Sequence, residues 1–265
     1  MSSETFAAEC VTEIRAQGHD EELLSLTREW MNRANSLKYS YHFDFLGRPL
    51  IQYPQDIVAM QQIIWDVKPD LIIETGIAHG GSLILNASML ALLDYCDAVE
   101  SNNLFDPKAS GRMVLGIDID IRSHNRVAIE AHSMAHKIEM IEGSSTDPMI
   151  IERVRNRAKS AKRVLVSLDS NHTHDHVLAE LNAYADLTSI GSYCVVFDTI
   201  IEDMPDDMFP NRSWGPGNNP KTAVREFLET NTDFEVDTEV QNKLMITVAP
   251  NGFLKRIGVD SLKQS

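Results

Sequence analysis

The sequence predicts a doubly wound α/β fold, in which a mostly parallel sheet carries helices on both of its faces. Two observations support this fold class. From about residue 70 onward, short runs rich in valine, isoleucine and leucine alternate with amphipathic stretches. Continuous apolar runs are typical of parallel strands buried on both faces, and right-handed crossovers between such strands place helices on both sides of the sheet.

Seven apolar runs predict a seven-stranded sheet. In chain order they are Leu71–Glu74, Met113–Asp118, Ile138–Ile141, Arg163–Asp169, Ser192–Asp198, Asp233–Thr238 and Lys243–Val248. Helices are predicted between them: Leu83–Leu93, a stretch ending near Ser133, Asp175–Leu187, and one beginning at Asn219-Pro220. Asparagine can cap that last helix, and proline fits its first turn. The polar segment Asp97–Arg112 predicts a loop.

The first 68 residues have a different pattern and predict a helical cap. Two helical stretches, about Asp20–Ala34 and Pro54–Val67, flank an aromatic segment, Tyr39–Phe45. We interpret residues 1–68 as an N-terminal extension of the same domain, and residues 69–265 as the main ligand-binding part.

Composition excludes several classes of partner. The 265 residues include 24 basic and 39 acidic side chains, a formal net charge of −15, whereas duplex nucleic acid and anionic membranes bind basic faces. Cys10, Cys96 and Cys194 lie far apart with no C-x-x-C pair, which predicts free thiols. No signal peptide is evident, and no apolar run approaches the roughly 18 residues of a membrane helix. We therefore expect a soluble cytoplasmic protein.

The carboxyl ends of the first three predicted strands carry residues suited to a nucleotide-like cofactor. Ligands of open parallel sheets bind at these ends. After the first strand, Glu74-Thr75-Gly76 and Gly80-Gly81-Ser82 permit close backbone approach, although an ordinary tight turn has the same pattern. Asp118 ends the second strand, where an acid can accept both ribose hydroxyls or simply cap a helix. Ser144 and Ser145 follow the third strand and suit the edge of an adenine ring.

The fourth and fifth strands end at Asp169 and Asp198. Two carboxylates at neighbouring strand ends suit Mg²⁺, which needs few protein ligands, although each acid could instead cap the helix that follows. His172, His174 and His176 alternate along the chain, so they do not share a helix face and disfavour a histidine metal centre. His172 is the candidate proton acceptor, because an ordinary histidine titrates at about pH 6.5.

These segments resemble the cephalosporin hydroxylase family over about residues 43–257. The motifs that carry the resemblance are ETGIAHGGS, GIDIDIR, EGSS, LDSNHTHDHV and VVFDT. Despite its name, that family is similar to S-adenosylmethionine- and metal-dependent O-methyltransferases, including enzymes that methylate macrolide sugars. The resemblance implies the Rossmann-like class I methyltransferase fold, S-adenosylmethionine, and Mg²⁺ or a similar divalent cation.

The resemblance also implies roles for individual residues. It places Glu74, Gly76 and Ser82 near the methionine part of the cofactor, Asp118 on the ribose, and Ser144 or Ser145 near the adenine. Gly80 and Asp169 are further cofactor-binding residues. Asp169 and Asp198 would bind the cation, and His172 would be the general base. This sequence departs from the family pattern at Phe197, where sugar-methylating relatives tend to have an acidic metal ligand. A cation would then take its further ligands from Thr199, Glu202, Asp203 or water.

The function that follows is methyl transfer to a hydroxyl of a sugar, a glycan or a glycosylated natural product by a homo-oligomeric enzyme. The loop Glu202–Asn219 is the candidate lid. Within it Trp214 could stack on the acceptor or anchor the loop, and Lys221 on the next helix could meet an anionic group or face solvent.

Three other functions remain open. A nicotinamide-dependent sugar-nucleotide enzyme would share the glycine loop, but the sequence has neither G-x-G-x-x-G nor a suitably placed Tyr-x-x-x-Lys pair. An iron-dependent hydroxylase needs a β-barrel, which the strand–helix alternation disfavours. A non-catalytic protein that binds an adenosyl ligand would explain Phe197.

Overall fold

The computed structural model describes residues 3–109 and 111–258. Its strands are β1 (Phe43–Phe45), β2 (Arg48–Leu50), β3 (Leu71–Thr75), β4 (Met113–Asp118), β5 (Ile138–Glu142), β6 (Val164–Leu168), β7 (Tyr193–Val196), β8 (Phe234–Val236) and β9 (Phe253–Arg256). Its α-helices are α1 (Ser3–Gln17), α2 (Glu21–Ser36), α3 (Pro54–Val67), α4 (Gly81–Glu100), α5 (Ser123–Glu130), α6 (Pro148–Ala158), α7 (His174–Tyr184), α8 (Pro220–Thr230) and α9 (Thr238–Leu244).

Seven strands form one sheet in the order β5-β4-β3-β6-β7-β9-β8. Strands β3 to β7 pair in parallel, and β9 is antiparallel to both β7 and β8. From β3 the chain builds outward to β5 and then returns to place β6 on the other side of β3. The strand order therefore reverses between β3 and β6, where doubly wound sheets bind ligands. The predicted doubly wound, mostly parallel seven-stranded fold is confirmed.

Side chains of the central strands alternate between two apolar clusters. On one face, Ile72, Val114 and Leu165 pack in a cluster with residues of α3 and α4. On the other, Ile73 and Val166 pack in a cluster with residues of α6, α7 and α8. Every residue of β3 and β6 is buried, as the continuous apolar runs predict. This double burial fixes the strand ends that carry the site.

The N-terminal residues pack on the first of these clusters. Met31 of α2, Leu50 of β2 and Tyr53 at the start of α3 are buried in the same apolar cluster as Ile72 of the sheet. Farther along, α1 contacts α9 through an ion pair of 2.5 Å between Arg15 Nη2 and Glu239 Oε1. The division of the chain at residue 68 stays a prediction.

The predicted last strand, Lys243–Val248, is wrong. Asp237 caps a helix there by accepting a hydrogen bond from the Glu239 amide, and α9 runs to Leu244. Met245 has a φ of 59°, which ends the helix, and Val248 donates its amide to buried Asp56. An apolar run this short does not distinguish a strand from buried helix and loop, and the sheet takes β9 instead.

Other boundaries shift by smaller amounts. Helix α4 continues to Glu100, so the predicted loop Asp97–Arg112 begins later than expected, and α5 ends at Glu130, short of Ser133. Helices α1 and α6 were not predicted; Asp147 caps α6 and Pro148 begins it. The cap at Asn219 is confirmed, with reciprocal side-chain and backbone bonds between Asn219 and Thr222.

Helix α4 is the one described helix long and apolar enough to cross a membrane. Half of its apolar window is buried inside the protein, with Leu83 and Leu90 fully enclosed. Burial of this kind is typical of the core helix of an α/β sheet.

Candidate active site

A cavity of about 670 Å³ opens at the carboxyl ends of β3, β6 and β7. Four segments form its wall: the end of the N-terminal cap, the β3–α4 loop, the segment after β6, and the segment after β7. We call it the main cavity. Among the predicted site residues, those that line it are Gly76, Ser82, Asp169, His172, Asp198 and Trp214.

The glycine loop joins two strand ends by direct backbone contact. Gly76 has a φ of 88°, and a Cβ atom there would lie 1.9 Å from the carbonyl oxygen of Asp169. Gly80, with a φ of 84°, is the N-cap of α4. Only glycine permits this approach at position 76, so the loop and the end of β6 touch through their main chains.

Glu74 lies in the wall of a second, small cavity of about 20 Å³, which shares Gln52, Ser82 and Asp169 with the main cavity. The Glu74 carboxylate is 2% exposed. Its two oxygens accept hydrogen bonds from the Ser82 hydroxyl and from Asn86 Nδ2, the latter at 2.7 Å. Burial outweighs these bonds and raises the pKa of Glu74 to about 7.

Asp118 holds the glycine loop. Its Oδ2 accepts from the backbone amides of Ile77 at 2.8 Å and Ala78 at 3.2 Å, and its Oδ1 accepts from the Asp120 amide at 3.1 Å. Asp118 does not line the main cavity. The structure therefore assigns this carboxylate a contact that sequence reasoning did not anticipate, and its ribose contact stays a prediction.

Ser144 and Ser145 also lie outside the wall of the main cavity. Ser144 Oγ is 3.0 Å from Thr146 Oγ1. Ser145 is buried, donates to Glu180 Oε1 at 2.5 Å, and accepts on its carbonyl from the Tyr184 hydroxyl. Their proposed contact with adenine stays a prediction.

Asp169, His172 and Asp198 converge, and we call them the Asp–His cluster. Their ligand atoms lie within 4.8 Å of one another, with His172 Nε2 at 3.1 Å from Asp198 Oδ2. Burial first, and then the Asp198 carboxylate, hold the pKa of Asp169 well above its ordinary value. A divalent cation would relieve the repulsion between these carboxylates, and two carboxylate oxygens suit Mg²⁺. The residues present therefore fit the implied metal.

The other protein ligands considered for the cation are engaged elsewhere. Thr199 Oγ1 donates to the Pro250 carbonyl at 2.7 Å. Glu202 Oε2 accepts from the Gly217 amide at 2.8 Å, and its Oε1 contacts Arg225. Phe197 is 4% exposed and packs in the apolar core. Water is left as the source of further ligands.

Asp203 and Lys221 pair with each other. Lys221 Nζ lies 2.5 Å from Asp203 Oδ2, and Lys221 is 6% exposed. Neither residue lines the main cavity. This geometry favours a structural role for Lys221 over the predicted contact with an acceptor.

Trp214 lines the main cavity from the loop after β7. Its ring meets the His172 ring edge-on, with centroids 5.7 Å apart, and contacts Phe209 at 5.6 Å. Contacts of Glu202 with Gly217 and with Asn219 Nδ2, at 2.5 Å, fasten the far end of this loop. Trp214 thus stands directly beside the candidate base.

His174 and His176, which follow His172 in the same segment, contact different acids. His174 Nε2 is 3.2 Å from Glu226 Oε2, and His176 Nε2 is 3.4 Å from Glu180 Oε1. The three histidines therefore do not form a common site.

Two buried polar residues near the site were missed. Gln52 Nε2 donates to Asp169 Oδ2 at 3.1 Å. Asp56 accepts from Thr247 Oγ1 at 2.5 Å and from the Val248 amide at 3.0 Å, and burial raises its pKa to about 7. Both lie in the segment 43–56, which carries part of the resemblance but has no local pattern that points to the site.

The family model named rhamnosyl O-methyltransferase/CmcI matches residues 37–257. The chain belongs to the rhamnosyl O-methyltransferase/CmcI family. The predicted family is confirmed. A rhamnosyl O-methyltransferase of Mycobacterium tuberculosis (strain ATCC 25618 / H37Rv) is 32% identical over 203 residues, which cover 76% of this chain and 73% of that protein.

Two further comparisons agree with this family. A rhamnosyl O-methyltransferase of Mycobacterium leprae (strain TN) is 28% identical over 213 residues, covering 80% of this chain and 82% of that protein. A solved structure of CmcI, described as its magnesium and S-adenosylmethionine form, has a TM-score of 0.54 at 17% identity and covers 82% of this chain and 78% of its own. That likeness confirms the predicted methyltransferase fold.

Proposed function

We propose that this chain is an S-adenosylmethionine-dependent O-methyltransferase that methylates a hydroxyl of a sugar, a glycan or a glycosylated natural product. The observation that carries the proposal is the Asp–His cluster, which lies in the wall of the main cavity beside the glycine loop. The rhamnosyl O-methyltransferases among the relatives support a sugar as acceptor.

The cofactor would bind at the carboxyl end of β3. Glu74, Gly76 and Ser82 would hold its methionine part, with Gly80 and Asp169 as further contacts, since Gly76, Ser82 and Asp169 line the main cavity. Asp118 would take the ribose through Oδ1, which accepts one hydrogen bond, from the Asp120 amide, whereas Oδ2 already accepts two from the glycine loop. Ser144 and Ser145 would border the adenine.

Asp169 and Asp198 would hold Mg²⁺ or a similar cation. When bound, that cation supplies positive charge that lowers the pKa of an acceptor hydroxyl. The magnesium form of CmcI supports this choice of ion. The two aspartates would in addition orient the acceptor in front of the cofactor, where alignment contributes much of the rate.

His172 would act as the general base. It takes the hydroxyl proton while the acceptor oxygen forms a bond to the methyl carbon and the carbon–sulfur bond of S-adenosylmethionine breaks. The products are a methyl ether, S-adenosylhomocysteine and a protonated imidazole. The Asp198 carboxylate, 3.1 Å from Nε2, would orient the imidazole ring for this transfer.

The acceptor would enter under the loop 202–219. Met204, Met208, Phe209 and Trp214 line this side of the main cavity and suit the apolar face of a sugar. A homo-oligomer and a cytoplasmic location are part of the same proposal, and light scattering of the purified protein tests the first.

One alternative has an observation in its favour. Phe197 places a buried apolar ring beside Asp198, where the resemblance implies an acidic cation ligand, and this supports a non-catalytic protein that binds an adenosyl ligand. Such a protein would bind S-adenosylhomocysteine tightly and turn over no acceptor.

A methyl-transfer assay separates the two functions. Purified protein is incubated with S-adenosylmethionine, Mg²⁺ and a panel of rhamnosides and other deoxysugar glycosides, and methyl ether and S-adenosylhomocysteine are quantified. We expect equal amounts of both products, loss of turnover with a chelator and recovery with Mg²⁺. Tight S-adenosylhomocysteine binding without turnover on any acceptor would instead favour the non-catalytic protein, and full turnover under chelation would exclude the cation role.

A further inference from the structure

Gln52 joins the N-terminal cap to the Asp–His cluster. The residue is 6% exposed, lies between β2 and α3, and lines both cavities. Its Nε2 donates to Asp169 Oδ2 at 3.1 Å. Because the donor atom is the amide nitrogen, this contact turns the nitrogen side of the planar amide toward Asp169. The carbonyl oxygen, Oε1, is thereby fixed on the other side.

That carbonyl oxygen has no hydrogen-bond partner among the described residues. Buried side-chain oxygens nearly always have a partner, whether protein, water or ligand. An acceptor left open beside a pair of carboxylates therefore points to a donor that binds there.

Phe197 and Gln52 lie on the same small cavity, which Asp169 also lines. Position 197 offers only an apolar ring, while Thr199, Glu202 and Asp203 have partners elsewhere. Among these neighbours, Gln52 is the residue that contacts Asp169 and also has an open oxygen, Oε1.

We propose that Gln52 is a positioning residue of the cation site. Its amide nitrogen orients Asp169, and its carbonyl oxygen accepts a hydrogen bond from a water on the cation. Mg²⁺ keeps several of its waters in proteins, and an outer acceptor of this kind holds such a water in place. The inference rests on the cation role in the proposed function.

A competing occupant is a structural water in the small cavity. A volume of about 20 Å³ holds one water, and Asn86 Oδ1 in the same wall also has no partner among the described residues. A water that serves only the cavity would make Gln52 important for stability and irrelevant to the metal.

The test measures Mn²⁺ and Mg²⁺ affinity of the full chain by titration calorimetry, without cofactor or acceptor. We expect Gln52→Met to weaken metal binding about 10- to 100-fold, the usual effect of losing an outer contact. Gln55→Met is the matched control, because Gln55 also has an open buried carbonyl but lines neither cavity. It should leave the affinity unchanged.

The outcomes are distinguishable. A Gln52→Met protein that melts at a lower temperature but binds metal as tightly as the wild type overturns the inference. A wild-type protein that binds no divalent cation, or binds one equally well after Asp198→Asn, overturns the cation role in the proposed function itself. If Gln52→Met does not fold, a crystal structure of the wild type with Mn²⁺ decides: Gln52 Oε1 within hydrogen-bond distance of a cation-bound water supports the inference, and its bond to an unrelated water overturns it.

Discussion

His172 stands between two different partners at the candidate site, the Asp198 carboxylate at 3.1 Å and the Trp214 ring at 5.7 Å. The carboxylate contacts the ring nitrogen Nε2 and orients the imidazole, while the tryptophan ring packs edge-on against it. Both contacts suit a residue that accepts a proton from a bound hydroxyl.

Replacing His172 with alanine should therefore reduce methyl transfer about 10²- to 10⁴-fold, the usual contribution of a positioned base. Binding of S-adenosylhomocysteine should persist. His174→Ala is the matched control, since His174 contacts Thr222 and Glu226 instead of Asp198. Single-turnover rates with saturating cofactor give the comparison, and an undiminished rate in His172→Ala would rule out the base assignment.

Two buried carboxyl groups make the stability of the ligand-free protein depend on pH. Burial raises the pKa of Asp56 and of Glu74 to about 7 from ordinary values of 3.8 and 4.5. At pH values between the ordinary pKa and the raised pKa of each group, the folded state binds more protons than the unfolded state. The free energy of unfolding that these groups contribute is therefore present at acidic pH and lost as the pH rises toward 7, by about 3 to 4 kcal/mol per group.

Urea unfolding at several pH values between about 5 and 7.5 tests this sign. The double variant Asp56→Asn, Glu74→Gln should lose stability less steeply with rising pH than the wild type does. Equal slopes in the two proteins would show that both carboxyl groups are already ionised in the fold.

Individual site residues differ in how far the sequence could predict them. Asp169, His172 and Asp198 follow strands, and strand ends of a parallel sheet meet at one edge, so their convergence follows from topology. Gln52 contacts Asp169 across 117 residues of chain, and nothing local to its turn specifies that contact. The contact between Asp118 and the backbone amides of Ile77 and Ala78 could not be predicted for the same reason.

At the scale of elements, the β3–α4 loop is specified by one close contact. A Cβ atom at Gly76 would lie 1.9 Å from the Asp169 carbonyl oxygen, whereas one at Gly47 would meet no atom within 4 Å. Both glycines have a φ above 80°, at 88° and 81°. Comparison of the two positions separates backbone strain from steric contact.

Gly47→Ala should destabilise the fold by about 1–2 kcal/mol, the cost of a left-handed alanine. Gly76→Ala should cost more than about 4 kcal/mol, because it forces the ends of β3 and β6 apart. Denaturant unfolding of the two variants measures the difference, and equal losses would contradict the close contact.

The Glu202 side chain is one of the groups that hold the far end of the loop after β7. Glu202 accepts from the Gly217 amide and from Asn219 Nδ2, and it also meets Arg225. Burial alone would raise the pKa of Glu202, but the hydrogen bonds from Gly217 and Asn219 together with the Arg225 charge lower it.

Glu202→Gln should loosen this loop and raise the KM for the acceptor several-fold, with little change in cofactor affinity. Glu229→Gln on the exposed side of α8 serves as the control. Steady-state kinetics at fixed cofactor concentration measure the effect. A loss of cofactor affinity equal to that for the acceptor would exclude the loop as an acceptor lid.

At the scale of the whole molecule, the pattern of buried runs predicts the doubly wound sheet, but it fails where the chain leaves that pattern. The run KLMITV is apolar, yet its first two residues are the end of helix α9. Its last residue, Val248, donates its backbone amide to Asp56. Strand β9 is short and lies between antiparallel neighbours, so its four residues carry no comparable signal.

The main-chain contact between Gly76 and Asp169 couples the glycine loop to the end of β6, so a shift of either segment displaces the other. Cofactor bound at the glycine loop and cation bound at the end of β6 would each adjust the same pair of peptide groups. Their affinities should then be linked, so that whatever factor the cofactor imposes on cation binding, the cation imposes on cofactor binding. Such an enzyme would acquire both ligands together, and a low supply of either one would limit its occupancy by the other.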